Sequence, residues 1–399
     1  MADNIIPPSW GIDRQMQIYK AGLAGKLPTI PLSFEELERQ AQVKMTPQAF
    51  GYVAGSAGGE DTARANCDAF RQWRIVPRFF RNVLQRDLSI ELLGQRYPTP
   101  LFLGPVGVLS IVHPEAEIAV AKAAAELKMP MVLSTASSKT IEEVATHSGS
   151  GQRWFQLYWP AKQELAVSFM QRAEKAGYTA IVVTLDTYLL AWRERDLQNA
   201  YLPFLQGMGL ANYFTDPVFQ QLVGGDPRAH PIKAIETFGQ VFSNPTLTWD
   251  HLKWLREQTK LPILLKGILH PDDARKAIDL GMSGVIVSNH GGRQLDGAIA
   301  TLDALPGVVD AVAGKLPVLF DSGIRRGSDV IKALCLGAKA VLVARPYAYG
   351  LALDGSNGIV QVMSNLLADV DLSLGLMGCK NFGELNRQCL VGHAVHAAQ

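Results

Sequence analysis

Eight short apolar segments constrain the fold of this chain more than any other feature of its sequence. They are rich in Val, Ile, Leu and Phe and do not alternate apolar with polar residues, a composition typical of parallel strands that are buried on both faces. The segments are 101–107, 131–135, 154–158, 180–186, 262–267, 284–292, 317–323 and 340–346.

Helical patterns lie between these segments. They include residues 117–128, 163–177, 270–281 and 327–338, and each of the last three closes at a glycine, which commonly stops a helix. Eight repeats of a strand followed by a helix predict an α/β fold, namely a (β/α)8 TIM barrel. An open doubly wound sheet is the alternative.

The N-terminal part of the chain lies outside this repeat. Residues 1–75 predict a helical N-terminal extension, in which Ser33 caps one helix and a second helix begins near Pro47. We expect the extension to pack on a barrel formed by residues 76–399, so that the chain is a single domain overall.

A second irregular segment, residues 194–248, follows the fourth predicted strand. It is far longer than the roughly 2–6 residues of an ordinary loop between a strand and a helix, and it is too aromatic for a disordered linker. Because it follows a strand, it would emerge at the catalytic face, where we expect it to form a lid. A contact between subunits is the alternative.

Charge and cysteine usage exclude several classes of protein. The 38 Lys and Arg residues balance 37 Asp and Glu residues, so we expect no nucleic-acid partner and no anionic membrane. The longest apolar run, 101–112, is too short for the roughly 20 residues of a membrane span. The N-terminus lacks a secretory signal, so a cytoplasmic protein is expected. Four cysteines without a C-x-x-C pair favour free thiols, with no metal site.

Active sites of TIM barrels are built at the C-terminal ends of the strands. In this chain, polar or small residues occupy that position after all eight predicted strands, a convergence that structural roles alone hardly explain. In strand order, the candidates are Gly107; Ser134; Gln156 and Tyr158; Thr184 and Asp186; Lys266; Ser288 and His290; Asp321 and Gly323; and Arg345.

The last two strands predict a phosphate site. Gly323 and Gly327 flank Arg325 just before a predicted helix, and Arg345 follows the eighth strand. Glycine backbone, a helix N-terminus and guanidinium groups are all suited to phosphate. The sequence contains neither G-x-G-x-x-G nor a Walker P-loop, so NAD in a Rossmann fold and ATP in a P-loop lack support.

His290 is the strongest catalytic candidate. It follows the sixth strand between Asn289 and two glycines, with Arg293 three residues further on and Arg193 after the fourth strand. A base beside two cations that can bind a carboxylate is suited to the removal of hydrogen from C2 of a 2-hydroxy acid.

The stretch SNHGGRQLDG at 288–297 resembles the active-site motif of the FMN-dependent L-2-hydroxy acid oxidase family. The likeness runs from Phe50 to Tyr349, where YVAGSAGGE, GPVGV, FQLYWP, VTLDT, LLKGI, FDSGIRRGSDVIKAL and ARPYA follow in the family's order. Residues 199–220 resemble the lactate 2-monooxygenase subgroup most closely.

The resemblance implies FMN as cofactor, a small L-2-hydroxy acid such as L-lactate as substrate and O2 as acceptor. Within the lactate 2-monooxygenase subgroup the products are acetate, CO2 and water. Release of the 2-keto acid with hydrogen peroxide, or a dehydrogenase of the mandelate type, is the alternative. The family is usually a homotetramer or a homo-octamer.

The resemblance also implies roles for individual residues. His290 would be the base, and Asp186 would orient the imidazole and favour its charged form. Tyr158 and Arg293 would belong to the catalytic group as well. The implied substrate contacts are Tyr52, Tyr158, Arg193 and Arg293. The implied FMN contacts are Gly107, Ser134, Gln156, Thr184, Lys266, Ser288, Asp321, Gly323, Arg325 and Arg345.

Three positions depart from the glycolate oxidase pattern. Ala136 replaces a bulky tryptophan, which implies more room for the substrate, while Gly107 and Trp192 follow the lactate 2-monooxygenase subgroup. Mandelate or longer hydroxy acids therefore stay open as substrates. Two other classes are alternatives: an FMN-dependent isomerase, against which the paired arginines beside His290 argue, and a barrel that binds without catalysis.

Overall fold

The structure of the chain is a computed structural model that describes residues 9–392. The strands are β1 (Trp73–Ile75), β2 (Ile90–Leu92), β3 (Gln95–Tyr97), β4 (Leu101–Leu103), β5 (Met131–Ser134), β6 (Arg153–Tyr158), β7 (Ile181–Thr184), β8 (Ile263–Ile268), β9 (Gly284–Val287), β10 (Val318–Phe320), β11 (Ala340–Val343) and β12 (Leu390–Gly392).

The α-helices are α1 (Trp10–Leu23), α2 (Phe34–Lys44), α3 (Pro47–Ala54), α4 (Asp61–Arg71), α5 (Glu117–Leu127), α6 (Ile141–Ser148), α7 (Gln163–Lys175), α8 (Glu194–Gln198), α9 (Ala211–Phe214), α10 (Pro217–Val223), α11 (Pro231–Phe242), α12 (Trp249–Glu257), α13 (Pro271–Asp279), α14 (Thr301–Val312), α15 (Gly327–Cys335) and α16 (Arg345–Leu376). Short 3₁₀ turns occupy Pro203–Gln206, His290–Gly292, Phe382–Glu384 and Arg387–Cys389.

Strands β4 to β11 form a closed barrel, in which each strand pairs in parallel with the next and β11 pairs back with β4. These are the eight apolar segments of the sequence, so the predicted (β/α)8 barrel is confirmed and the open doubly wound sheet is excluded. Two of the predicted glycine stops, Gly177 and Gly281, have φ values of 77° and 68°, the left-handed conformation that ends many helices.

One cluster of side chains fills the interior of the barrel, and each strand contributes at least one large apolar residue to it. These residues are Phe102, Val132, Trp154, Val182, Leu264, Ile286, Leu319 and Leu342. Leu92 and Tyr97, from the β2–β3 hairpin, pack against this cluster. Because the hairpin directly precedes β4, it closes the N-terminal end of the barrel and leaves the C-terminal end for the functional site.

Strand β9 ends earlier than the sequence predicts. The apolar segment continues to residue 292, but the strand ends at Val287 and residues 290–292 form a turn. His290 has a φ of 60°, which no strand can accommodate. The chain therefore turns sharply at the C-terminal end of the barrel and places the His290 side chain there.

The N-terminal extension forms helices α1 to α4. As predicted, Ser33 Oγ accepts a hydrogen bond from the Glu36 N–H at 3.3 Å, and α3 begins at Pro47. The sequence did not predict α1 or α4. Strand β1 pairs antiparallel with β12, so the end of the extension joins the C-terminal part of the chain. Residues 1–8 and 393–399, which belong to the predicted extension and barrel, lie outside the described residues.

The insertion at 194–248 contains helices α8 to α11 around a core of aromatic rings. The ring centroids of Phe204, Phe238 and Phe242 lie 4.8–5.5 Å apart, and Tyr213 packs on Phe238 at 5.0 Å. Phe242 also contacts Tyr158 of β6, with 5.3 Å between ring centroids. The insertion therefore packs on the C-terminal end of the barrel.

Helix α16 is long and apolar enough to cross a membrane, and it is the one helix within residues 9–392 that passes this test. Half of its most apolar stretch is buried inside the protein, and non-helical backbone at Asp354 and Gly355 interrupts it. The helix packs against α1, α2, α5 and α15. These contacts are those of a helix in a protein core.

Candidate active site

His290 and Asp186 form a hydrogen-bonded pair at the C-terminal end of the barrel. His290 Nδ1 lies 2.8 Å from Asp186 Oδ1, and both side chains are largely buried. Thr187 Oγ1 donates to the same carboxylate oxygen at 2.9 Å. The backbone N–H of His290 donates to Ser288 Oγ at 3.1 Å. Because Nδ1 is bound to the carboxylate, Nε2 is the ring nitrogen that can accept a proton from a ligand.

Burial and charge set the protonation states of this pair. Burial alone would raise the pKa of Asp186, but the His290 ring, Lys266 and the hydrogen bonds to the carboxylate outweigh it and lower the pKa to about 2. Burial lowers the pKa of His290 below its usual range, Asp186 opposes this shift, and Lys266 adds to it. Asp186 thus favours the charged form of His290, as the family resemblance implies, but burial and Lys266 outweigh this effect. The net shift favours the neutral ring, which is suited to act as a base.

Two tyrosines lie beside the pair. Tyr158 Oη is 3.4 Å from His290 Nε2. Burial and then the charge of Asp186 raise the pKa of Tyr158, so the phenol keeps its proton. Tyr52 comes from α3 of the N-terminal extension, and its hydroxyl donates to the Gly107 carbonyl at 3.1 Å. The extension therefore supplies a side chain to the site.

The two predicted carboxylate-binding arginines lie in different places. Arg293 lines the central cavity and lies over the Tyr52 ring, 5.0 Å from its centroid. Burial and then the Arg193 cation lower the pKa of Arg293 to about 10, which leaves it charged at neutral pH. Arg193 lies outside the lining of the cavity and donates to the Arg293 carbonyl and to Gln294 Oε1, at 3.1 and 2.8 Å. It therefore supports the turn that carries Arg293.

Lys266 is a buried cation in the wall of the same cavity. Its Nζ donates to Ser288 Oγ at 2.9 Å and forms an ion pair with Asp321 at 3.2 Å. Burial alone would lower the pKa of Lys266, but the Asp321 and Asp186 carboxylates outweigh it and raise the pKa. A lysine that stays charged here can stabilise negative charge on a ligand beside it.

Ser134, Gln156 and Thr184 form a hydrogen-bonded chain across three neighbouring strands. Ser134 Oγ donates to Gln156 Oε1 at 3.0 Å, and Gln156 Nε2 donates to Thr184 Oγ1 at 2.9 Å. Thr184 lines the cavity, whereas Ser134 and Gln156 are buried behind it. The polar groups implied as flavin contacts are therefore aligned along one side of the site.

Gly323, Arg325 and Arg345 also line the cavity. Gly323 has a φ of 85°, and a side chain there would overlap the backbone carbonyl of Asn66, so this turn requires glycine. Arg345 donates to backbone carbonyls of the extension and of the His290 turn, at 3.0–3.2 Å. The guanidinium groups and the turn are suited to an anion such as phosphate.

The helix N-terminus next to the cavity is not the one that the sequence predicts. At the start of α15 the Gly327 N–H donates to Asp369 Oδ2 at 2.6 Å, and the N–H groups of Arg325 and Arg326 donate to Asp329. The first residues of α16 line the cavity instead. The positive end of the α16 dipole therefore faces the ligand space.

These residues line a cavity of about 940 Å³ including its open mouth. Among residues 9–392, four cations line it, against the carboxylate of Asp321. The cations are Lys266, Arg293, Arg325 and Arg345. FMN fits this set of groups, because its phosphate suits the two arginines beside α16 and its ring suits a buried lysine and the hydroxyl of Thr184.

Several supporting residues were not predicted from the sequence. Thr187 and Gln294 directly follow Asp186 and Arg293 of the predicted site. This adjacency is the sequence signal that could have identified them. Gln294 Nε2 donates to the Asp186 carbonyl at 2.6 Å. Asn66 pairs with Asn289, the residue before His290, but it lies on α4, a helix that the sequence did not predict.

Gly107 lines the cavity and contacts Ala136, which lies behind it. A side chain at position 107 would lie 2.7 Å from the Ala136 carbonyl and 2.8 Å from its Cβ, so packing requires glycine here. Ala136 is buried and lies outside the lining of the cavity, and its expected effect on substrate size stays a prediction. The third position that departs from the glycolate oxidase pattern, Trp192, is 72% exposed.

A closed barrel, a cation-lined cavity that fits a phosphate-bearing flavin and a His–Asp pair beside that cavity define a class, the flavin-dependent (β/α)8 oxidoreductases. Comparison with known families then gives the particular family. The FMN-dependent dehydrogenase family matches residues 41–392. The chain therefore belongs to the FMN-dependent dehydrogenase family, and its cofactor is FMN.

Individual relatives cover nearly the whole chain. An FMN-dependent alpha-hydroxy acid dehydrogenase of Penicillium citrinum is 46% identical over 380 residues, 94% of each chain. An L-lactate oxidase of Lysinibacillus sphaericus is 46% identical over 361 residues, 90% of this chain and 93% of the relative. A crystal structure of mandelate oxidase is similar with a TM-score of 0.80 and 37% identity, over 91% of this chain and 98% of that chain.

Proposed function

We propose that this protein oxidises a small L-2-hydroxy acid, with L-lactate as the foremost substrate and O2 as the acceptor. The observation that carries the proposal is the hydrogen bond between His290 and Asp186, beside the Arg293 cation in the cavity that fits FMN. Relatives named for alpha-hydroxy acids and for L-lactate support the substrate class.

The side chains around the cavity have complementary roles in this reaction. Arg293, with Tyr52 beside it, binds the substrate carboxylate, and Arg193 holds the turn of Arg293 in place. His290 accepts a proton from the substrate at Nε2, and Asp186 stabilises the imidazolium that results. FMN, when bound, would supply the acceptor for the two electrons and the second hydrogen of the substrate, with O2 as the final acceptor.

We further propose that the other residues on this side of the barrel hold FMN. Lys266, supported by Ser288 and Asp321, would stabilise the negative charge that develops on the reduced ring, and Thr184, at the end of its hydrogen-bonded chain, would contact the ring. The phosphate is bound by Arg325, Arg345 and the backbone at Gly323. Gly107 lines the same cavity, whereas Ser134 and Gln156 are buried behind its wall and are the least direct of these contacts.

The finer proposal is that L-lactate and O2 become acetate, CO2 and water. This outcome requires pyruvate to stay in the site until peroxide attacks its carbonyl, so it depends on slow product release. The insertion supports this proposal, because its aromatic core packs on Tyr158 through Phe242, and its Gly209 packs on Val108, next to Gly107. A segment in this position is suited to act as a lid over the site.

Product analysis tests this outcome. With L-lactate under air, the proposal predicts acetate and CO2 in amounts equal to the oxygen consumed, with little free peroxide. Stoichiometric pyruvate and peroxide would instead establish the second candidate, an L-2-hydroxy acid oxidase, which the relatives named L-lactate oxidase favour. Turnover of mandelate rather than lactate would point to the substrate named in the structural relatives.

We also propose that the protein is a cytoplasmic homo-oligomer, a tetramer or an octamer as is usual for the family. The exposed apolar side chains of the insertion, such as Leu205 and Ile232, give such an assembly surfaces to bury. Light scattering coupled to size-exclusion chromatography measures the oligomeric state directly, and a monomer would contradict the proposal.

A further inference from the structure

Arg325 is held differently from the arginine beside it. Arg326 pairs with Glu35 at 2.7 Å, whereas Arg325 forms no ion pair among residues 9–392. Its Nη1 donates to the Ile324 carbonyl at 2.9 Å. The side chain lines the cavity that fits FMN and also a surface cavity of about 780 Å³ including its mouth. A long side chain between two cavities has rotamer freedom to lose, so a further contact is needed to fix it at the phosphate end.

The ring of Phe34 supplies such a contact. The central carbon of the Arg325 guanidinium lies 4.1 Å from the centroid of this ring, well within the roughly 6 Å over which an aromatic face attracts a cation. Phe34 is the first residue of α2, directly after the helix cap Ser33. The contact therefore joins the N-terminal extension to the loop that precedes α15.

The Phe34 ring is itself anchored to α16. It packs on the buried Tyr349 ring, with 5.8 Å between the centroids. The Tyr349 hydroxyl donates to Glu38 Oε1 at 2.7 Å, and Glu38 lies one turn after Phe34 on α2. Residues four apart share one face of a helix, so Phe34 and Glu38 together hold α2 against α16. The first residue of α16 is Arg345, the other arginine of the phosphate site.

An aromatic ring is a better support than a carboxylate for an arginine that binds phosphate. A carboxylate would occupy the N–H groups of the guanidinium and offset its charge, and phosphate needs both. A ring attracts the guanidinium through its π face and accepts none of the strong hydrogen bonds that phosphate oxygens accept. The Arg325 donors and charge therefore stay available for an anion in the cavity.

We propose that Phe34 is a positioning residue for FMN, whose ring holds the Arg325 guanidinium at the phosphate end of the cofactor cavity. This inference rests on the proposed binding of the FMN phosphate by Arg325. The family match begins at residue 41, so it assigns Phe34 no role. The N-terminal extension would thus retain the cofactor in addition to supplying Tyr52 to the site.

The rate of FMN release from the loaded enzyme tests the proposal, and the fluorescence of free FMN after dilution measures it. Phe34→Leu keeps an apolar side chain but removes the π face, so release should become roughly threefold to thirtyfold faster. Phe34→Tyr keeps the ring and should release FMN at the rate of the unaltered enzyme. Glu35→Gln removes the neighbouring contact of α2, with Arg326, and should leave the rate unchanged.

A double-mutant cycle separates the positioning of Arg325 from a general loosening of α2. Arg325→Ala should itself speed release, and in that background Phe34→Leu should have no further effect. An equal effect of Phe34→Leu with and without Arg325 would overturn the proposal, as would equal release from Phe34→Leu and Phe34→Tyr. If Arg325→Ala releases FMN no faster than the unaltered enzyme, the phosphate placement fails together with the inference.

A change in the electronics of the ring gives a further test. Site-specific incorporation of pentafluorophenylalanine at position 34 keeps the shape of the ring but reverses the charge distribution that attracts a cation. Release should then be faster, as in Phe34→Leu, and release at the unaltered rate would overturn the proposal. This variant decides the question even if Phe34→Leu fails to fold. FMN release needs no turnover, so the result is independent of the proposed substrate.

Discussion

The side-chain amides of Asn66 and Asn289 hold each other by two hydrogen bonds, of 2.8 and 2.7 Å, between positions 223 residues apart. Both amides are buried, and Asn66 also accepts a hydrogen bond from the Thr301 N–H. This pair ties α4 of the N-terminal extension to the residue that precedes His290. The extension therefore supports the catalytic turn in addition to contributing Tyr52.

Asn66→Ala should lower the free energy of unfolding by about 1–3 kcal/mol, because it leaves the buried amide of Asn289 without its partner. It should also slow flavin reduction, since the turn that carries His290 loses a support. Urea unfolding and stopped-flow reduction measure the two effects. Asn82→Ala, an exposed position, is the control. If both variants match the unaltered enzyme in both measurements, the pair does not support the turn.

Asp186→Asn should change the pH profile as well as the rate. A neutral His290 is the active form, so kcat/KM falls as the pH drops through the pKa of His290, which lies below its usual range. Asp186 raises this pKa, so its removal should move the acidic limb to still lower pH. The rate should fall by roughly 10²–10⁴, because the ring loses its orienting partner. Thr187→Ser keeps the hydroxyl, so it should leave both the rate and the position of the acidic limb of the pH profile unchanged. A limb that moves to higher pH would contradict this account.

Arg345→Ala should weaken FMN binding by roughly tenfold to a hundredfold, because it removes a buried cation from the phosphate end of the cavity. Fluorescence titration of the apoprotein with FMN measures the affinity. Arg326→Ala removes an exposed arginine that pairs with Glu35 and should leave FMN affinity unchanged. Equal FMN affinity in the two variants would place the phosphate elsewhere.

Loosening the insertion should change the products. Phe242→Ala removes the ring that joins the insertion to Tyr158, so pyruvate should leave sooner and the products should shift from acetate towards pyruvate and peroxide. Shortening the 199–225 segment should shift the products in the same direction and to a larger extent. Gln240→Ala, at an exposed position on α11 of the insertion, is the control. An unchanged ratio of acetate to pyruvate in both loosened variants would show that the insertion does not retain the product.

The barrel could be predicted from the sequence because parallel strands buried on both faces leave continuous apolar runs. The ends of the strands could not be predicted. The segment that begins at Gly284, for example, continues without a break into a turn in which His290 has a positive φ. Within the predicted N-terminal extension, individual helices could be predicted only where capping residues mark their start, at Ser33 and Pro47.

The composition of the site could also be predicted, because each residue lies at a strand end or in a motif. The hydrogen bonds between these residues could not be predicted. Arg193 and Arg293 look equivalent in the sequence, yet Arg193 donates to the Arg293 carbonyl.

The central claim is that His290 takes a proton from a 2-hydroxy acid as FMN is reduced, and anaerobic stopped-flow mixing with L-lactate tests it most directly. The unaltered enzyme should lose its flavin absorbance in one turnover, and His290→Gln, with FMN still bound, should do so roughly 10²–10⁴ times more slowly. Flavin that stays oxidised with L-lactate and with larger 2-hydroxy acids, or that is reduced equally fast in His290→Gln, would contradict the account.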